Sequence, residues 1–416
     1  MAGDVALDNL DTIAWHGLAL RVPPDWAPSK MTGDLSSGTL VVADCALPRM
    51  HLDWTRRRRP PRLERSLARL LARLRAEASR KKAHLRPEER SFALPSDKTG
   101  AFAGWTTGIG RAFAGVIVCA SCGRLTTLRA AYTGEENADA LFAAACESFQ
   151  DHPVDDWLDW SIYRLRVRTP ASASLLESSI RPGRIDLTFR DADGPVRIAQ
   201  FGLARMVLSD GRLEGVFENE VARRRNAGRL DLREESFDGH DSLRWSPAPG
   251  LRRSSRDTVG RIWHCPDSNR VYLVETRSKG PGENGLGSWC RNVFCHLAGA
   301  GPAPVGLLDP LPPALAGKPR LSPFVSRVEK DDAGLARIIL APGVGRARSL
   351  TLSLDALGTA VLALCDGSRD CGTIIRSFAA EHRLHPREAY VSVASFLSTL
   401  VRRRAIDFEV EDLPRP

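Results

Sequence analysis

The sequence predicts an α+β protein with two antiparallel-sheet bodies in tandem, followed by a small C-terminal domain of three strands and three helices. Three observations carry this expectation. Short runs of alternating apolar and polar residues dominate the first three hundred residues, broken by only a few helical patterns. Their order recurs at a spacing of about 145 residues, the signature of a duplicated structural unit. A stretch rich in Gly, Pro and Ala, from Gly299 to Pro323, then sets off a tail with its own strand and helix order. At 416 residues the chain exceeds what one hydrophobic core supports. The expected domains are therefore residues 1–155 and 156–298, a linker at 299–323, and a final domain at 324–416.

The repeat is visible residue by residue. Trp15-His16-Gly17-Leu18-Ala19-Leu20-Arg21-Val22 is echoed by Trp160-Ser161-Ile162-Tyr163-Arg164-Leu165-Arg166-Val167. Gly38 ahead of Leu40 answers to Gly183 ahead of Ile185, and Ser91-Phe92 answers to Ser236-Phe237. The apolar run ending at Cys119 turns through Gly123-Arg124, and the run ending at Cys265 turns through Asn269-Arg270. Both patterns read as β-hairpins. Loop insertions cost little, so small drifts in spacing are compatible with a repeat.

Each half then reads as three strands, a helix, two to four strands and a closing helix. The first helix is expected from Arg62 to Arg80, with Leu63, Leu67, Leu70, Leu71 and Leu74 on one face. Its counterpart is expected from Arg212 to Ala227, and the closing helices at Asn137 to Phe149 and Gly287 to Leu297. Antiparallel strands packed against helices make an α+β sandwich. This order, with Pro23-Pro24-Asp25-Trp26 after the opening strands, resembles the Mog1/PsbP-like fold, whose members serve mostly as binding or scaffold modules. The second half departs from it, with Thr169-Pro170-Ala171-Ser172-Ala173 where that Trp would lie.

Composition narrows the function classes. Hydrophobic residues at 43% and charged ones at 26% are ordinary for a folded globular protein. The chain contains no run of eighteen apolar residues, and Met1-Ala2-Gly3-Asp4-Val5-Ala6-Leu7-Asp8 lacks the layout of a signal peptide, so a cytoplasmic protein with no membrane partner is expected. Nine cysteines, an odd number scattered along the chain, read as reduced thiols. The net charge of +9 raises nucleic acid as a partner. The basic runs Arg56-Arg57-Arg58-Arg59 and Arg223-Arg224-Arg225 sit beside helical patterns, however, and read as solvated faces.

Candidate chemistry yields little. Cys119 and Cys122, taken with Cys290, Cys295 and His296, have the residue types of a zinc site. Cys290 and Cys295 fall in a helical pattern, where five residues turn about 500° and separate the side chains. Cys122 aligns with Ser268, so the pair is not repeated. The expectation is structural thiols and no metal. His264 and Cys265 adjoin on a strand and so face opposite sides, and His240-Asp241 belongs to a turn. Phosphate-binding and nucleophile-elbow motifs are missing, and Gly108-Ile109-Gly110-Arg111 has too few glycines for a dinucleotide loop. No catalytic residue and no cofactor is assigned.

The tail is the most specific segment. Strands are expected at Val325 to Val328, Leu335 to Leu340 and Ser349 to Ser353. A helix follows from Leu354, carrying Leu357, Val361, Leu364 and Cys365, with Gly358 allowing a close neighbour. Asp370 caps a second helix bearing Ile374, Ile375 and Phe378, and a third begins after His385-Pro386. Leu354, Gly358, Val361-Leu362, Leu364, Asp366-Gly367 and Ile374-Ile375 stand in the register of the PqqD-like family, and the tail resembles that family. Asp370 replaces the usual Thr but keeps a capping oxygen.

The resemblance implies a winged helix that holds the leader of a ribosomally made precursor peptide for a modifying enzyme. It places the leader as an added strand on Leu350, Thr351, Leu352 and Ser353, against a helix face that includes Tyr390, Ala394 and Leu397. Two alternatives stand beside it. One is an enzyme of peptide modification with a site between the repeats, near Cys119, His240, His264 and Cys265. The other is a nucleic-acid-binding winged-helix regulator, against which the third helix argues by gathering its basic residues at Arg402-Arg403-Arg404. The sequence reading is therefore a non-enzymatic peptide-binding protein. Its partners would be a precursor leader and a modifying enzyme, with neither nucleic acid nor membrane among them.

Overall fold

In the computed structural model, alternating apolar patterns become antiparallel meanders. The described residues are 9–409 except 46, 60, 135, 209–211, 223–229, 249–257, 278–283, 297–316, 332–333 and 342–348. Two short strands open the chain, β1 (Asp11–Trp15) and β2 (Leu18–Val22), with His16 and Gly17 at positive φ in the turn. Next come β3 (Ala27–Gly33), β4 (Ser37–Ala43) and β5 (Pro48–Arg56), helix α1 (Leu63–Arg80), β6 (Glu88–Arg90), β7 (Lys98–Thr107), β8 (Gly110–Cys119), β9 (Arg124–Thr133) and α2 (Ala138–Glu147). β3 to β9 form one sheet in the order β3-β4-β5-β9-β8-β7-β6. The leucine stripe of α1 packs on this sheet, with Leu70 buried against Ala114 and Val116, as the periodicity required.

The second body repeats the element order. It contains β10 (Trp157–Ile162), β11 (Leu165–Pro170), β12 (Ser174–Arg181), β13 (Arg184–Asp191) and β14 (Gly194–Phe201). Short helices α3 (Ala204–Val207) and α4 (Glu214–Phe217) follow, the latter running into a wider π turn at Glu218–Ala222. Then come β15 (Leu230–Phe237), β16 (His240–Pro247), β17 (Thr258–Cys265), β18 (Arg270–Arg277), α5 (Asn284–Arg291) and β19 (Val293–Phe294). Its sheet runs β12-β13-β14-β18-β17-β16-β15, position for position the order of the first sheet.

The opening hairpins make a separate five-stranded sheet in the order β19-β11-β10-β1-β2. There Ala14 pairs with Ser161, and Trp15 meets Trp160 edge to face at 5.2 Å. The echo Trp15/Trp160 thus marks a packed core position.

Two expected helices come out differently. The pattern from Arg212 to Ala227 is only α4 and its π turn within the described residues; Leu213, Phe217 and Val221 are nonetheless buried together. The helix expected to reach Leu297 ends at Arg291, so Cys290 is helical and Cys295 lies beyond β19. Cys290 and Cys295 therefore do not share a helix. Among the described residues no helix is long and apolar enough to cross a membrane.

Contacts divide the chain into two compact units. One contains the first body and the opening hairpin of the second, and the other contains most of the second sheet together with the C-terminal domain. That domain comprises β20 (Lys318–Leu321), β21 (Val325–Lys330), β22 (Ala336–Leu340), β23 (Leu350–Ser353), α6 (Ala356–Ala363), α7 (Cys371–His382), α8 (Pro386–Arg402) and β24 (Ile406–Glu409). β20 falls inside the segment read as linker, yet it pairs with β24 from Lys318↔Glu409 to Leu321↔Ile406. Residues 299–316 of that segment lie outside the described residues.

Candidate functional site

The C-terminal domain is assembled by local signals that the sequence carries openly. Asp355 caps α6 by accepting from the Gly358 N–H at 2.7 Å, and Asp370 caps α7 by accepting from the Thr373 N–H at 2.6 Å. His385 Nδ1 accepts from the Arg387 N–H at the head of α8, where Pro386 occupies the first helical position. Gly358 admits the ring of Phe396: a Cβ there would lie 3.0 Å from it. The Thr359 hydroxyl accepts from the Ala336 N–H at 2.8 Å and ties α6 to β22. These contacts fix three helices against a three-stranded sheet of order β21-β22-β23.

Among the described residues β23 is an edge strand, paired on one side with β22 from Arg337↔Ser353 to Leu340↔Leu350. The Leu354 N–H donates to Ala336 O, which sets the phase of the ladder. In an antiparallel pair the hydrogen-bonding residues alternate, so Leu350 and Leu352 turn their main-chain groups to β22, while Thr351 and Ser353 turn theirs to the open edge. Burial follows the same alternation. Leu350 and Leu352 are half-buried, and Thr351 and Ser353 are exposed. On α8, Tyr390 and Ala394 are half-buried. Leu397 differs from expectation: at 3% exposure it belongs with Val393 and Leu400 to the core stripe, because the helical repeat carries it inward. It offers no free surface to a ligand.

A second feature of the domain was not anticipated. Glu388, in the first turn of α8, receives Arg270 Nη2 of β18 at 3.2 Å and the Gly183 N–H at 2.9 Å. The side chains of Arg270 and Glu388 are 0% and 1% exposed. Beside them Asn269, at φ +53, donates through Nδ2 to His382 O at 2.9 Å and accepts from the Ala204 and Arg205 N–H groups. Arg383 also donates to Asp267 O. The tail is therefore held to the second sheet by a buried ion pair and a turn clasp. At the echoed position in the first body, Arg124 bonds within that body, to His16 O at 3.2 Å. The doublets Gly123-Arg124 and Asn269-Arg270 were the available sequence signal, since a buried guanidinium must find acceptors.

The remaining candidates are placed as follows. His264 is half-buried and Cys265 fully buried at the end of β17, on opposite faces as adjacent strand residues must be. His240, at the start of the neighbouring β16, has a ring nitrogen within 4.8 Å of the Cys265 sulfur, and both residues are buried. Burial pushes the Cys119 thiol up to about 12, so at neutral pH it is not a free nucleophile. Cys119 and Cys122 sit together at the β8–β9 turn, beside Asp151 and His152 from the segment after α2. Arg223 to Arg225 lie outside the described residues.

Comparison with known proteins bears on the same segment. Residues 338–406 match the family model described as coenzyme PQQ synthesis protein D (PqqD). This segment is a PqqD-like domain. The match begins at Ile338 in β22 and ends at Ile406 in β24, so it spans β23 and all three helices. No curated protein matches the chain.

Among solved structures, the apo immunity protein TplEi of the type VI secretion system from Pseudomonas aeruginosa is 9% identical, at a TM-score of 0.27; the match covers 67% of this chain and 91% of that one. A Tle4–Tli4 complex gives 10% identity and a TM-score of 0.26, covering 67% and 89%. TplEi complexed with an "L" peptide gives 11% and 0.25, covering 67% and 91%. Scores this low do not establish a shared fold.

Proposed function

We propose that the chain is a non-enzymatic peptide-binding protein whose PqqD-like domain holds the leader of a ribosomally synthesised precursor peptide. The leader adds as a strand along Leu350, Thr351, Leu352 and Ser353 and sets apolar side chains beside Tyr390 and Ala394 of α8. The open edge of β23, in a segment matched to the PqqD family, is the observation that carries this reading. Edge main-chain groups supply affinity without regard to sequence, and neighbouring apolar positions supply selectivity.

The two N-terminal bodies then dock the modifying enzyme or the remainder of the precursor. Their common strand order supports descent from one duplicated unit. The protein works in the cytoplasm, where precursor and enzyme meet. The test is calorimetric titration of the full chain with the leader segment of a precursor encoded beside its gene. Saturable one-to-one binding is expected, and the absence of binding by every such peptide counts against the role.

A further inference from the structure

The first body contains a donor cluster that peptide binding does not use. Cys119 ends β8, Cys122 lies in the β8–β9 turn, and Asp151 and His152 follow α2. One ligand atom from each lies within 4.8 Å of every other. Cys119 Sγ is 3.5 Å from His152 Nδ1, and Cys122 Sγ is 3.6 Å from Asp151 Oδ2. Zinc bonds of about 2.0 to 2.3 Å in tetrahedral array place neighbouring donors roughly 3.3 to 3.8 Å apart. Two of the six donor separations already have the length of a tetrahedron's edge, and the others lie within 4.8 Å.

The local backbone has the form such a site needs. The Cys122 N–H points at Cys119 Sγ at 3.5 Å, and the Gly123 N–H bonds Cys119 O at 3.1 Å. Gly123, at φ +69, closes a tight knuckle that brings both sulfurs to one side. Asp97 borders the cluster, its Oδ2 accepting from Cys119 Sγ at 3.3 Å and lying 3.7 Å from His152 Nε2. Lys98, with a side chain 3% exposed, pairs with Asp97 at 2.9 Å and lies 3.5 Å from Asp151 Oδ1. Its positive charge offsets the surplus negative charge of two thiolates and a carboxylate around a dication. A cleft of about 380 Å³ lined by Asp97, Lys98 and His152 gives an ion a way in.

The geometry points to a zinc site formed by Cys119, Cys122, Asp151 and His152. Four protein donors leave no open position, so the site is structural: it staples the segment after α2 to the β8–β9 hairpin. Ser268 replaces Cys122 at the echoed turn, so this donor set belongs to the first body.

The test uses the purified full chain. Elemental analysis should give zinc that is lost from the Cys119→Ser/Cys122→Ser variant and from His152→Ala, and kept by a Cys371→Ser control. Stripping the wild-type protein with a chelator and adding cobalt(II) should give a thiolate-to-cobalt charge-transfer band and tetrahedral visible bands that saturate. The cobalt readout does not depend on any variant folding. Absence of those bands, zinc unchanged in the double variant, or a Cys119–Cys122 disulfide in the native protein would overturn the assignment.

Discussion

Replacing Glu388 with Ala removes the carboxylate that holds α8 to β18 and strands Arg270 in a site with 0% exposure. At 3.2 Å and an effective dielectric of about 20, the pair's Coulomb attraction is on the order of 5 kcal/mol. Loss of one partner from a buried pair costs roughly 3 to 5 kcal/mol, because the remaining charge stays desolvated. The Gly183 N–H loses its acceptor as well, adding about 1 kcal/mol. The expected result is a loss of about 4 to 6 kcal/mol in urea unfolding of the unit that contains the C-terminal domain. The companion variant Arg270→Met/Glu388→Leu removes both charges and should recover most of that loss. A Glu388→Ala cost below about 1 kcal/mol, the range of an exposed pair, or a double variant no better than the single one, would refute this account of the attachment.

Other consequences can be checked separately. Thr351→Pro deletes a donor on the open side of β23 and leaves the β22 ladder intact, so leader affinity should fall about tenfold or more in calorimetry with little change in thermal midpoint. Gly358→Ala puts a Cβ 3.0 Å from the Phe396 ring and should cost about 1 to 3 kcal/mol by chemical denaturation.

Desolvation by burial, helped by Asp44 and Glu136, raises Asp25 from an ordinary 3.8 to about 7. The folded state therefore holds its proton more tightly, and stability contributed by Asp25 is present below about pH 4 and lost as pH rises to 7. Asp25→Asn should accordingly raise the melting temperature at pH 8 more than at pH 4, and an equal change at both would contradict the shift.

Much of the fold was legible because its signals are local or repeated. Trp15 and Trp160, the two Cys-containing hairpins and the capping residue Asp370 each declare themselves within a few positions, whereas the helix expected from Leu354 begins at Ala356 with Asp355 as its cap. What escaped depends on partners distant in sequence. Glu388 reads as an ordinary first-turn acid of a helix, and only the folded chain reveals its bond to Arg270. Asp151-His152 carries no motif and gains meaning only when α2 brings it to Cys119 and Cys122. Lys318-Pro319-Arg320-Leu321 was hidden by the proline-rich composition around it, although proline is tolerated in a strand at a sheet edge. Leu397 shared its helical face with Tyr390 and Ala394 in the sequence, and a small rotation about the helix axis decides which of the three is buried.

The peptide-binding claim is tested most directly by amide hydrogen exchange on the full chain, with and without a leader peptide that binds it. The account predicts slowed exchange at Thr351 and Ser353, whose N–H groups face the open edge, and little change at Leu350 and Leu352, which already bond to β22. A bound peptide that leaves Thr351 and Ser353 unprotected, or that protects β21 at Val325–Lys330 instead, would contradict it.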